Sequence, residues 1–118
     1  FVASEESSAH QNFKNVVVDA KDGDTQLTLK ELTPVRLLKG QFLDEVRSLY
    51  KTNPTKEQLQ ELLGRGRAKK GMLEGDLVQG ELEIGQVAGL IHKVMPASEI
   101  VKEVMEEFEM VKKHFERM

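Results

Sequence analysis

Apolar side chains recur every three or four positions over most of this chain, a spacing that predicts a mainly α-helical protein. Ala9, Phe13, Val16, Val17 and Ala20 form the first stripe. Ser4 stands ahead of it as an N-cap with Glu5 and Glu6 behind, and the helix is expected to end near Asp22 and Gly23. Leu27 and Leu29 then alternate with Gln26, Thr28 and Lys30, a short extended piece with one apolar side that Thr33 and Pro34 interrupt. A second helical stripe, Phe42, Val46, Leu49 and Tyr50, closes at Asn53 and Pro54. Thr55 with Gln58 has the form of a capping box for a third helix carrying Leu59, Leu62 and Leu63, which Gly64 ends. From Pro96 onward Ile100, Val104, Phe108, Val111 and Phe115 share a face. Glu103, Glu106 and Glu107 come early and Lys112, Lys113 and Arg117 late, as a helix dipole prefers.

Between the third and last helices the pattern changes, because seven of the nine glycines fall between residues 64 and 89. Such clustering implies that backbone approaches backbone or ligand closely. Ile84, Val87, Leu90 and Ile91 fit one helical face, while Gly85 and Gly89 leave a neighbouring face bare for something to pack against. The stripes are numerous but narrow, and aromatics make up only 5% of residues, so apolar surface stays uncovered unless another segment covers it.

With 118 residues the chain has room for one domain and one modest core. Seventeen basic and twenty acidic side chains give a net charge of -3, too balanced to attract nucleic acid or an anionic membrane. The absence of cysteine excludes disulfides and thiolate chemistry and fits a cytoplasmic location. No apolar run approaches the roughly 20 residues needed to cross a bilayer. The apolar opening Phe1, Val2, Ala3 reads like the end of a buried strand that begins upstream.

Candidate chemistry is sparse. Arg65, Arg67, Lys69 and Lys70 form a basic cluster suited to phosphates, but Glu74, Asp76, Glu81 and Glu83 nearly cancel it and no aromatic interleaves for base stacking. Gly64, Gly66 and Gly71 imitate nucleotide loops but fail both patterns, with Lys69 in place of a glycine and Met72 and Leu73 in place of lysine and Ser/Thr. Asp22, Gly23, Asp24 and Glu31 lack the register of a calcium loop, and His10, His92 and His114 lack metal or triad spacing, so no metal is expected. Glu81 and Glu83 follow a surface pattern rather than an acid and base pair. Gln86, a neutral amide beside Gly85, suits either a protein backbone group or a ligand. Met72 and Leu73 suit either a core or an apolar pocket.

The opening FVASEESSAH together with LTLKELTPVRLL, LLGRGRAKKGMLEGD and GELEIGQVAGLI resembles the C-terminal portion of the nitronate monooxygenase (2-nitropropane dioxygenase) family, in its enoyl-acyl-carrier-protein reductase II branch. The resemblance runs over nearly the whole chain. It implies a parent (β/α)8 barrel with a smaller cap region, FMN at the C-terminal ends of the strands, and NAD(P)H as reductant of an enoyl-acyl-carrier-protein thioester in fatty acid synthesis. Nitronate oxidation is the alternative activity it implies. Residues 1–21 would be the last strand end and closing helix, 22–95 the cap, and 96–118 a helix packing back on the body. The family's phosphate-binding glycines and catalytic histidine have no counterparts here, so this chain alone would be inactive and supplies no catalytic residue. Gly85 and Gln86 match the family's GQ pair as cofactor contacts, and Met72 and Leu73 its apolar substrate pocket, although an aromatic often stands where this chain has Leu73. The implied partners are the upstream barrel half and the thioester or nitronate substrate, and a homodimer is also compatible. A reading from another class makes the chain a stand-alone helical interaction module whose last helix fills a partner's groove.

Overall fold

His10, not Ser4, opens the first helix. The computed structural model describes residues 1–118, and in it α1 runs Gln11–Asp19 with the His10 side chain accepting the Asn12 N–H. Residues 1–9 are turns, and Ala3 and Ser4 are buried among them. The acidic pair behind Ser4 serves another helix. The Glu6 carboxylate accepts the Ala97 N–H at 3.0 and 3.1 Å, and the Glu5 N–H bonds the Met95 carbonyl. Glu5 and Glu6 thus do not serve the first helix as expected; the Glu6 carboxylate sits instead at the N-terminus of the last helix, 91 residues downstream. The buried Lys14 ammonium holds this loop in place by donating to the Glu5 and Ser7 carbonyls at 3.2 and 2.9 Å.

After α1 come β1 (Thr25–Thr28), β2 (Val35–Leu38), α2 (Gln41–Tyr50), α3 (Lys56–Leu63), α4 (Arg67–Met72), a 3-10 helix (Gln86–Leu90) and α5 (Ala97–Glu116). β1 and β2 pair antiparallel, Thr25 opposite Leu38 and Thr28 opposite Val35. On its other edge β2 receives residues 82–84, where Leu38 N–H bonds the Leu82 carbonyl at 2.8 Å and Leu37 bridges Glu83. β2 is thus the central line of the molecule. Because successive strand residues face opposite ways, Leu37 enters one cluster with Leu29, Phe42, Leu43, Val46 and Leu59, and Leu38 the other with Phe13, Val17, Leu82 and Ala88. With both faces covered, VRLL shows no apolar alternation, and this strand escapes a search for period two.

Other expectations meet local physics. The capping box at Thr55 and Gln58 forms as expected. Leu27 and Leu29 do not share a buried side. Leu27 is exposed, while Leu29 sits in a left-handed turn (φ 54°) after β1 and is buried. Ile84 to Ile91 is not a continuous α-helix. Only Gln86–Leu90 winds, as a 3-10 turn, and Gly89 alone has a close neighbour, the backbone of Lys21 and Asp22. α5 has no buried residue, and it meets the rest of the chain near its start, where Glu6 accepts the Ala97 N–H and Ile100 and Glu103 line a shared cleft.

Candidate functional site

The segment Gly80–Gln86 lies where the glycines draw backbones together. A Cβ on Gly71 would meet the Glu81 carbonyl at 2.7 Å, and one on Gly80 would overlap Gly71 Cα and the Asp76 carbonyl. α4 therefore rests directly on the strip that pairs with β2. Arg67, at the start of α4, locks this contact. Its guanidinium donates to the carbonyls of Leu63, Gln79 and Leu62 at 3.0, 2.7 and 2.8 Å and lies 4.4 Å over the Phe42 ring. One member of the basic cluster is thereby spent on the fold rather than on phosphate, and Arg65, Lys69 and Lys70 remain exposed.

Beside it stands Glu81, which the sequence pattern places on the surface and the structure buries to 7% exposure. Burial chiefly, then the neighbouring Glu83 carboxylate, pushes its pKa from 4.5 up to about 7, against the pull of Arg67. Residues two apart on an extended strip face the same way, and this brings the two carboxyls together. The only sequence signal was the ExE spacing within GELEIG.

Leaving this strip, the chain enters an apolar cleft of about 310 Å³. Its wall is mainly apolar and includes Phe1, Val2, Ile84, Val87, Leu90 and Ile91, with Ser4, His92, Lys93 and Glu103 as polar members. The side chains expected to share a helical face thus share this cleft instead. Gly85 and Gln86 lie between Ile84 and Val87 in the chain, and both are exposed. A Cβ at Gly85 would meet nothing within 4 Å. The Gln86 side chain points away from the body's hydrogen-bonding groups and is exposed.

Met72 and Leu73 sit elsewhere. Met72 closes α4, packs on the Phe13 and Leu38 cluster and accepts the His10 N–H at 2.7 Å, while Leu73 is half exposed. Neither lines the cleft, and Gly85 and Gln86, which adjoin it in the chain, are not among its lining residues either. Asn12 donates to the Gly75 carbonyl at 3.0 Å, and the His10 ring covers Gly75 so closely that no side chain fits there. No group of three or more His, Cys, Asp or Glu residues is placed to hold a metal ion, and no helix is long and apolar enough to cross a membrane.

The profile of the nitronate monooxygenase family matches residues 1–107. The chain is similar to the solved structure of FabK from Thermotoga maritima, at 34% identity and a TM-score of 0.85, covering 99% of this chain and 37% of that one. A single-site mutant of the same FabK gives 30% identity and a TM-score of 0.79, with 99% and 35% covered. This chain thus spans little more than a third of the length of these relatives. Among curated proteins none matches.

Proposed function

The chain belongs to the nitronate monooxygenase family of FMN-dependent oxidoreductases, and from that premise we propose that it forms the cap and closing helix of a barrel enzyme that reduces enoyl thioesters with NAD(P)H. The observation that supports this reading is the likeness to FabK along 99% of the chain. Oxidation of alkyl nitronates is the second reading, favoured by the family profile itself.

The residues present fit one end of a flavin and not the other. Gly85 leaves open space for a planar group, and Gln86 carries an unengaged donor and acceptor beside it. Of the basic cluster, Arg67 is occupied by carbonyls, while Arg65, Lys69 and Lys70 stay exposed and none of them lines the cleft. FMN, when bound, supplies hydride transfer. The chain's own part is to orient and to exclude water: Gln86 offers its amide to a ring edge, and Ile84 and Val87 keep the adjoining cleft apolar.

Gly85→Ala tests the cofactor contact without disturbing the fold, since the added methyl has room and the Gly85 φ of -75° suits any residue. We expect unchanged thermal stability and FMN affinity lowered at least about tenfold, equivalent to ~1.4 kcal/mol, measured by flavin fluorescence in the barrel-bearing enzyme. FMN affinity equal to the parent's would remove Gly85 from the site.

A further inference from the structure

We propose that Glu81 and Glu83 form a proton-dependent latch: while they share a proton the strip 81–84 lies closed on β2, and once that proton is lost the strip lifts and carries Gly85 and Gln86 with it. The latch stands on these residues alone and not on the flavin reading.

Few bonds hold the strip. Three backbone hydrogen bonds fasten it, from the Glu81 N–H to the Arg67 carbonyl at 3.0 Å, from the Leu38 N–H to the Leu82 carbonyl at 2.8 Å and from the Ile84 N–H to the Arg36 carbonyl at 3.3 Å. A glycine stands at each end, Gly80 seated against Gly71 and Gly85 with open space around it, which suits a swing about the first with room to move at the second. The side chains divide as on any extended strip. Leu82 enters the cluster of Leu38, and Glu81 and Glu83 turn together to the other side.

The cations that face this pair are already committed. From α4 comes Arg67, whose guanidinium serves three carbonyls and the Phe42 ring. From β2, the antiparallel register that sets Leu37 against Glu83 sets Lys39 against Glu81, but the Lys39 ammonium pairs with Asp24 at 3.2 Å. In the preceding turn the Asp76 carboxylate accepts the Val78 and Gln79 N–H groups. On α2, Arg47 is bound to Asp44 and Gln26, and Glu45 to Gln41. Glu81, at 7% exposure, is thus left with the Glu83 carboxyl as the group with which it shares a proton. A second negative charge is opposed chiefly by burial, in keeping with a pKa of about 7 against the ordinary 4.5. Lifting returns both carboxylates to water. The closed form is therefore favoured most below about pH 4.5, and the lifted population rises about tenfold for each pH unit from there toward 7.

The test is hydrogen exchange in the full-length flavoprotein that carries residues 1–118, read at the Leu38, Ile84 and Val46 amides from pH 5 to pH 8 and corrected for the base-catalysed rate of an unstructured peptide. Leu38 and Ile84 are expected to lose protection at least about tenfold between pH 5 and pH 7. Dilute urea should leave their rates unchanged, the mark of a local opening. Val46, fully buried on α2, is expected to stay slower than both at every pH. Glu81→Gln keeps a donor without a charge and should hold the strip closed throughout, while Glu83→Gln removes the like charge and should weaken the response. Protection that does not change with pH overturns the proposal, as does a response that survives Glu81→Gln or that Glu83→Gln leaves intact. Exchange of all three amides at one common, urea-accelerated rate also overturns it, since the whole fold rather than the strip would then be opening.

Discussion

Arg67 and Glu81 show what one residue can and cannot reveal before folding. The charge of Arg67 is visible within GRGRAKK, but the convergence of the Leu62, Leu63 and Gln79 carbonyls on its fork is not. Those carbonyls come from a helix end and from a turn more than ten residues away. Lysine has no planar fork to bridge them, so Arg67→Lys is expected to cost about 2 kcal/mol, read as a lower urea midpoint with unchanged slope. Glu81 carries a sharper prediction. Its folded pKa of about 7 exceeds the ordinary 4.5, so the native state holds the proton where the unfolded chain releases it. Its contribution is present below about pH 4.5 and is lost as pH rises through 7. Glu81→Gln removes this loss and should be more stable than the parent at pH 8 by on the order of 2 kcal/mol. Its stability should also vary less between pH 5 and 7. Parent and variant profiles that run parallel across that range would refute the assignment.

Helices with complete local signals were legible as elements, and those that depend on distant groups were not. The box of Thr55 and Gln58 and the Pro96 start of α5 are written within four residues of where they act. α1 lacked that clarity, because Ser4 and the two glutamates point to a start that His10 supplies instead. β2 was hidden by having two buried faces, and α4 by being short and glycine-bearing, with its stability drawn from Arg67 and from the Gly71 and Gly80 contact. Of the candidate site, Gly85 and Gln86 were readable as a motif. The cleft beside them needed Phe1 and Leu90 brought together from nearly ninety positions apart. At this scale Glu6→Ala should fray the first turn of α5, at a cost of about 1 kcal/mol. Amide exchange at Ala97 and Ser98 would speed up while that at Leu59 stayed slow. Equal exchange in parent and variant would show that Glu6 is no cap.

Two lobes meet along β2, and a third surface, the cleft with α5, faces outward. The first lobe joins α1 to the 82–88 strip and the second joins the hairpin to α2 and α3. Gly71 and Gly80 let α4 rest on the strip beside β2 backbone to backbone, Gly64, Gly66 and Gly75 adopt left-handed φ and Gly89 lies close to Lys21 and Asp22, which accounts for most of the glycine clustering with no ligand at all. Of the seven, Gly85 alone has neither a left-handed φ nor a close neighbour, and it precedes the exposed Gln86. Gly71→Ala, meeting the Glu81 carbonyl at 2.7 Å, should therefore destabilise the fold by about 1–3 kcal/mol, whereas Gly85→Ala should act on flavin alone. The most direct test of the whole account is NAD(P)H oxidation by a full-length flavoprotein carrying residues 1–118 behind its own barrel, with a crotonyl thioester or an alkyl nitronate offered in turn. The account predicts bound FMN and NAD(P)H consumption that depends on the thioester. A flavoprotein that oxidises the nitronate with oxygen and leaves the thioester untouched would contradict it.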